Sequence, residues 1–390
     1  MDDRRVLTRQ DIDWERQGEA KSFARVRHRL LVAELALGGG FAAGLLVSGL
    51  AAALRDLMGS WTAQPVLIVA GYFGVVSVAY ALLMLPLGYY AGYRLPHRYG
   101  LSHETLRGWL WDQVKGGVVG LLLGVAVVEV VYYLLRVVPE LWWVAAAIFM
   151  LLLTVVLANL APVLLVPLFY KLTPLSDEEL ESRLRGLAAR AKTGVRGVFT
   201  IDLSSKTSAA NAMLMGLGNT RRIVLGDTLY GEYGHDEIET ILAHELGHHV
   251  AHDMWWGMLL QSALTLGGLY LVDLGLKWGV GMLGFSGPDD VAGLPLVGLV
   301  MGAFMAVTTP LGNAFSRWRE GMADDYALKA TKKPEAFVSA MVRLANQNLA
   351  DVEPEPWVEL LLQSHPPIGK RIERGQRFQA SQLEAAGEPA

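Results

Sequence analysis

Six apolar runs separated by polar connections set the rhythm of the chain. Five carry no charge: Leu35–Leu54, Val66–Tyr93, Leu141–Tyr170, Met254–Val272 and Leu294–Ser316. The other, third in order, opens at Gly116 and holds one acid, Glu129, before Arg136. A helix rises about 1.5 Å per residue, so runs of this length match a hydrocarbon core of roughly 30 Å. The pattern predicts six membrane-spanning helices. Tyr89, Tyr90 and Tyr93, Trp142 and Trp143, and Trp255 and Trp256 sit at run ends, where aromatic side chains favour the membrane interface. Gly40 with Gly44, and Gly116 with Gly120 and Gly124, offer small-residue ridges for close helix packing. Pro162 and Pro167 predict that the fourth run ends kinked or non-helical. Glu129 lies at membrane depth, where an ionisable group needs water or a partner.

Between the runs lie segments with soluble patterning. Residues 1–29 are polar and end in Lys21, Arg25, Arg27 and Arg29, a leader; residues 30–170 hold four spans. Residues 171–253 form an insertion. It starts with a capping box, Ser176 with Glu179, and an apolar stripe at Leu180, Leu184, Leu187 and Ala191. Short strands are expected at Gly197–Leu203 and Arg222–Leu225. A helix follows over Ile238–Asp253, with Ile238, Ile241, Leu242, Leu246 and Val250 on one stripe. Residues 254–316 add two spans, and residues 317–390 are again polar, with Pro334 opening a helix that buries Phe337, Met341 and Leu344. The fold class is mainly α: a multi-span membrane helical protein with a small α+β insertion.

Composition agrees: 52% of residues are apolar and 18% charged, unusual for a soluble domain and ordinary for a multi-span membrane protein. The net charge of -4 comes from basic residues scattered among acids, which argues against a nucleic-acid partner. Absence of cysteine excludes disulfides, iron–sulfur centres and a thiol nucleophile. No short apolar core with a small-residue cleavage site follows the amino terminus, so the first run is expected to stay as an anchor. Basic residues crowd the leader, the Arg94–Lys115 connection and the Lys171 region, whereas the connections at Arg55, Arg136 and Lys277 carry few. The positive side is the cytoplasmic one. Leader, insertion and carboxyl-terminal region then share the cytoplasmic face of a multi-pass protein, with the cell membrane as the expected location.

The chemistry is carried by the helix at Ile238–Asp253, which contains His244, Glu245 and His248, an H-E-x-x-H pattern. Residues four apart share a helical face, so both imidazoles can converge on one zinc ion while Glu245 addresses a water that the ion activates. A catalytic zinc site needs a third protein ligand. Downstream, SRWREGMADDYA places Glu320 and Asp324 four apart, so one carboxylate can bind metal while the other orients a ligand histidine through its free N–H.

HELGH followed by SRxxExxAD resembles the membrane-embedded zinc metallopeptidases of the type I CAAX prenyl protease family, a gluzincin-like arrangement. The heat-shock membrane protease HtpX is a more distant relative. The resemblance extends through LPHRYGLS (Leu95 to Ser102), APVLLVPLFYKLTPL (Ala161 to Leu175), NAMLMGLGNTRRIVLGDTL (Asn211 to Leu229) and SHPPIGKR (Ser364 to Arg371). It implies one zinc per chain bound by His244, His248 and Glu320, with Asp324 behind them and Glu245 as general base and proton donor to the leaving amine. It also implies that Asn211 and Ala212 form a strand edge pairing with substrate backbone, and that His365 and Arg371 handle substrate or the oxyanion. The implied substrate is a peptide or protein, prenylated or not, reaching the enzyme at the lipid surface. Six spans are counted here, against seven in eukaryotic members of that family.

Other classes are weighed on the same residues. An intramembrane zinc protease would carry its motif inside an apolar span, whereas this zinc helix is bracketed by charges. A non-catalytic scaffold or transporter retaining a metal site would not need Glu245. A quality-control protease of the HtpX type stays open as an alternative within the enzyme class.

Overall fold

The computed structural model describes residues 5–216 and 218–386. Residues 1–4 of the expected leader, Leu217 in the expected insertion and residues 387–390 of the expected carboxyl-terminal region lie outside the described residues. Among the described residues, six helical stretches are long and apolar enough to cross a membrane. The first, α1 (Trp14–Val47), begins well before the apolar run, because Asp13 caps it by accepting from the Arg16 N–H at 3.0 Å. Residues 14–29 of the leader are therefore helical. The helix ends earlier than the run expected over Leu35–Leu54. Gly49 adopts φ 76°, a left-handed turn that starts the short helix α2 (Leu50–Trp61).

The second span, α3 (Pro65–Tyr89), passes through a π turn at Tyr90–Arg94 into α4 (Leu95–Arg98). Thr105 caps α5 (Leu106–Val137) by accepting from the Gly108 N–H at 3.1 Å. Arg107 and Lys115, expected in a connection, are thus helical. Glu129 lies on α5 with Oε1 buried and without a hydrogen-bond partner among the described residues. The fourth span, α6 (Trp142–Leu160), runs through a π turn at Ala161–Leu165 into α7 (Val166–Phe169), where the prolines had marked a distortion. Leu82, Leu122 and Leu152, each at least 60% exposed, face outward as lipid-facing residues do.

The insertion folds as a four-stranded sheet beside helices. Its strands are β1 (Leu172–Pro174), β2 (Val198–Ile201), β3 (Ala212–Met215) and β4 (Arg222–Gly226), in the order β1-β2-β4-β3. β3 pairs antiparallel with β4 and stands at the sheet edge. Helix α8 (Glu178–Arg190) is capped by Asp177 and not by the expected Ser176: the Asp177 carboxylate accepts from the Leu180 N–H at 2.9 Å. A short α9 (Asp227–Glu232) leads to α10 (His235–Val250). The fifth span is α11 (Asp253–Met282), and the sixth is α12 (Leu294–Thr331), a continuous helix of 38 residues despite Pro310. The chain closes with α13 (Pro334–Gln347), α14 (Pro356–Leu362) and α15 (Ile368–Ala386).

One apolar cluster joins Leu180, Leu184 and Leu187 of α8, Ile238, Leu242 and Leu246 of α10, and Phe337 and Met341 of α13. The amino-terminal segment belongs to the same body: the Leu7 N–H donates to Ser339 at 2.7 Å and Asn346 donates to the Asp11 carbonyl at 3.0 Å. Leader, insertion and carboxyl-terminal region therefore lie at one end of the helices. The half-buried Arg55 pairs with the buried Asp290 at 2.5 Å between the connections at the other end.

Candidate active site

The metal-ligand geometry starts from how closely two helices approach. Helix α10 starts at a Gly234 N–H that donates to Glu237 at 2.7 Å, and its buried stripe packs it into the soluble core. Gly247 on α10 faces α12 so closely that an added Cβ would lie 2.9 Å from Ala323 Cα. This contact sets His244 and His248 opposite Glu320.

The Nε2 atoms of His244 and His248 are 3.2 Å apart. Glu320 offers Oε2 at 3.3 Å from His244 Nε2 and Oε1 at 3.3 Å from His248 Nε2. A tetrahedron with metal–donor bonds of about 2.0–2.1 Å has edges of about 3.3 Å, so the three groups are spaced as ligands of one such ion. Their other atoms sharpen the fit. His244 Nδ1 lies 2.8 Å from Asp324 Oδ1 and His248 Nδ1 lies 2.7 Å from Asp253 Oδ2. A carboxylate accepts a hydrogen bond, so each Nδ1 carries a proton, and in the neutral ring that a metal ligand must be each Nε2 presents a lone pair. Glu320 Oε2, buried and with no hydrogen-bond partner among the described residues, faces the same point. Converging lone pairs call for a cation.

Each orienting carboxylate is itself held. Arg371 grips Asp324 through two nitrogens, Nη2 at 2.6 Å and Nε at 3.0 Å, and its Nη2 also lies 3.2 Å from His244 Nδ1. The buried Arg319 donates to Asp253 from both Nε and Nη2 and to the Ala251 carbonyl. The sequence reading identified Asp324 but not Asp253 or Arg319. The helix expected to run to Asp253 ends at Val250, and His252 at φ 56° turns the chain so that Asp253 starts α11 and reaches back to His248. His249 is half-buried and His252 exposed, and neither joins the ligand group.

Electrostatics follow the same plan. Burial and Arg371 push the His244 imidazole down, and the Asp324 and Glu320 carboxylates outweigh them to lift it to about 9. His248 is likewise raised: burial lowers it, while hydrogen bonding to Glu320 and Asp253 prevails. Glu245, on the same helix, has its carboxyl raised above the ordinary range by burial, opposed by the two histidines. A raised carboxyl suits a group that takes and returns a proton near neutral pH.

A cavity of about 1210 Å³ opens over this group and is lined by Asn211, Ala212, His244, Glu245, His365 and Arg371 among others. Asn211 is exposed, and its carbonyl accepts from the Gly226 N–H at 2.8 Å. Ala212 begins the edge strand β3. His365 Nε2 lies 3.2 Å from Glu320 Oε1 with its side chain 64% exposed. The segment carrying it is latched to α12, where Arg317 donates to the carbonyls of Glu359 and Gln363 and Asn313 donates to that of Leu361. Asn211, Ala212, His244, Glu245, His365 and Arg371 thus line one cavity, while Glu320 and Asp324 contact His244 and His248 contacts Glu320.

Comparison with known proteins matches two family models. One, "Peptidase family M48", covers residues 174–377. The other, "CAAX prenyl protease N-terminal, five membrane helices", covers residues 8–171. The chain is 31% identical over 337 residues to an uncharacterized metalloprotease, YhfN, of Bacillus subtilis, covering 85% of this chain and 79% of the relative. It is 28% identical over 321 residues to CAAX prenyl protease 1 of Saccharomyces cerevisiae, covering 77% and 70% of the two chains. Among solved structures it resembles Ste24p of S. mikatae, with a TM-score of 0.82 at 22% identity over 96% of this chain and 91% of that one.

Proposed function

The chain belongs to peptidase family M48 and is a membrane metalloendopeptidase, and from that premise we propose that it is a zinc enzyme cutting extended peptides at the cytoplasmic membrane face. The spacing of the three donor groups at about the edge length of a zinc tetrahedron carries the proposal. His244, His248 and Glu320 hold the ion, while Asp324 and Asp253 fix the imidazoles. Zinc bound there supplies Lewis acidity toward the peptide carbonyl and acidifies water. Glu245 takes a proton from the attacking water and returns it to the leaving amine. Asn211 and the β3 edge pair with the substrate backbone, as an exposed strand edge does with an extended peptide. His365 faces the substrate side and stabilises developing negative charge, while Arg371 acts through Asp324. The positive-inside distribution supports the cytoplasmic side, and residues 317–390 act with residues 171–253 as one catalytic unit.

Backbone pairing and a general base recognise the peptide and not a lipid. Prenylation then raises cleavage by delivering the substrate to the membrane and is not itself required. In the test, matched peptides with and without a farnesyl group are incubated with wild type and Glu245→Gln, with zinc measured in each. The expected outcome is full zinc in both proteins, cleavage of both peptides by wild type, and none by Glu245→Gln. Activity near wild type in Glu245→Gln would sink the assignment of the base. Unmodified peptides uncut at every concentration, beside cleaved farnesylated ones, would make the lipid a recognition element.

A further inference from the structure

One wall of the active-site cavity comes from the first membrane helix. Phe23, Arg27, Leu31 and Glu34 of α1 all line it, at spacings of three and four residues that place them on one helical face. Between Leu30 and Val47, roughly 26 Å of helix at 1.5 Å per residue, Glu34 is the single charge. An ionisable side chain in such a stretch is costly against lipid and is tolerated where it faces water or a partner. Glu34 is exposed on the cavity wall and makes no hydrogen bond or ion pair among the described residues. The other acids of the wall are committed: Glu245 lies at the metal group, and Asp351 accepts from the Glu353 N–H at 3.2 Å.

We propose that Glu34 is a specificity element that draws a lysine or arginine side chain of the substrate into the membrane-side part of the active-site cavity. This rests on the protease reading above and adds the substrate class. A carboxylate on a cavity wall, partly shielded from bulk water, attracts a cation more strongly than it would on an open surface. Arg27, also without an ion-pair partner among the described residues, sits about 10 Å along the same face. An extended peptide advances about 3.3 Å per residue, so the two charges match substrate positions about three residues apart. The favoured peptide therefore carries a basic residue at one position and an acidic group about three residues from it.

The test uses peptides identical except for Lys, Gln or Glu at one position, scanned along both sides of the cut. Cleavage by the zinc-loaded wild type gives kcat/KM, and fluorescence anisotropy with Glu245→Gln gives Kd without turnover. At one position Lys should be preferred over Glu by about tenfold at low salt, a preference that high salt shrinks toward twofold. Glu34→Gln should abolish the preference and Glu34→Lys should invert it, with zinc content reporting that each variant is folded. The salt arm needs only the wild type. A Lys-to-Glu ratio that is the same in wild type and both variants, or insensitive to salt, overturns the proposal while leaving the protease reading intact. Binding that follows the charge at position 34 with no peptide cleaved does the reverse.

Discussion

Replacing Gly247 by alanine tests whether helix contact sets the metal geometry. The new Cβ would stand 2.9 Å from Ala323 Cα and 3.1 Å from the Ala323 carbonyl oxygen, both backbone atoms, whereas ordinary contact begins at 3.4 Å. The difference, 3.4 − 2.9, means that α10 and α12 must separate by at least about 0.5 Å, since backbone cannot rotate away. Zinc sites tolerate ligand displacements of about 0.2 Å, so the separation exceeds what His244, His248 and Glu320 can absorb without strain. Overpacking of this kind costs about 1–3 kcal/mol, which corresponds to a roughly 5- to 150-fold weaker zinc Kd if it falls on the metal-bound state. Chelator-buffered zinc titration of purified Gly247→Ala, beside its thermal unfolding with and without zinc, measures this. A zinc Kd within twofold of wild type would show that the helices have room to part and that Gly247 does not set the ligand spacing.

Asp253→Asn should keep the fold but weaken zinc binding by about 10- to 100-fold, the usual cost of losing an orienting partner; a zinc Kd equal to wild type would remove Asp253 from that role. In the metal-free protein His244 holds its proton up to about 9, and zinc must displace it. The apparent zinc affinity should therefore rise about tenfold per pH unit for each proton displaced, and level off above that value; a flat profile between neutral pH and that point would contradict the charged imidazole. Cysteines can be placed freely in a chain that has none, and a cysteine at position 100 should escape an impermeant thiol reagent in intact cells. Labelling there would place the catalytic end of the molecule outside.

What the sequence made legible follows from how local each signal is. Apolar runs and the H-E-x-x-H spacing depend on neighbours within a few turns, and among the described residues six membrane-capable helices and the adjoining imidazoles of His244 and His248 match them, whereas Glu320, on another helix, was singled out by the family resemblance. The misplaced boundaries have equally physical causes. An uncharged stretch says nothing about a left-handed residue inside it, so the break at Gly49 was hidden within Leu35–Leu54. Asp253 looked like the end of the zinc helix because a histidine with positive φ, His252, gives no glycine-like warning of the turn. The same limit hid Arg319, whose partner sits on another helix. The edge position of β3 depends on pairing with β4 across a turn and had no periodic signature of its own.

The site owes its coherence to one face of α12. Asn313, Arg317, Glu320 and Asp324 recur at spacings of four, three and four residues, and so stack on one side of the helix. The first two hold the segment that carries His365, the third faces the histidine pair, and the fourth orients His244. Because the same helix continues without a break into the sixth membrane-capable stretch, the His244–His248–Glu320 group stands at a fixed distance along the helix from that stretch. Bringing α10 against α12 then joins a helix of the soluble core to one anchored in lipid, and metal binding stabilises that junction. On the proposed reading a peptide meets Glu245 where these two bodies touch, and substrates held at the membrane surface are expected to be favoured before any side chain is read.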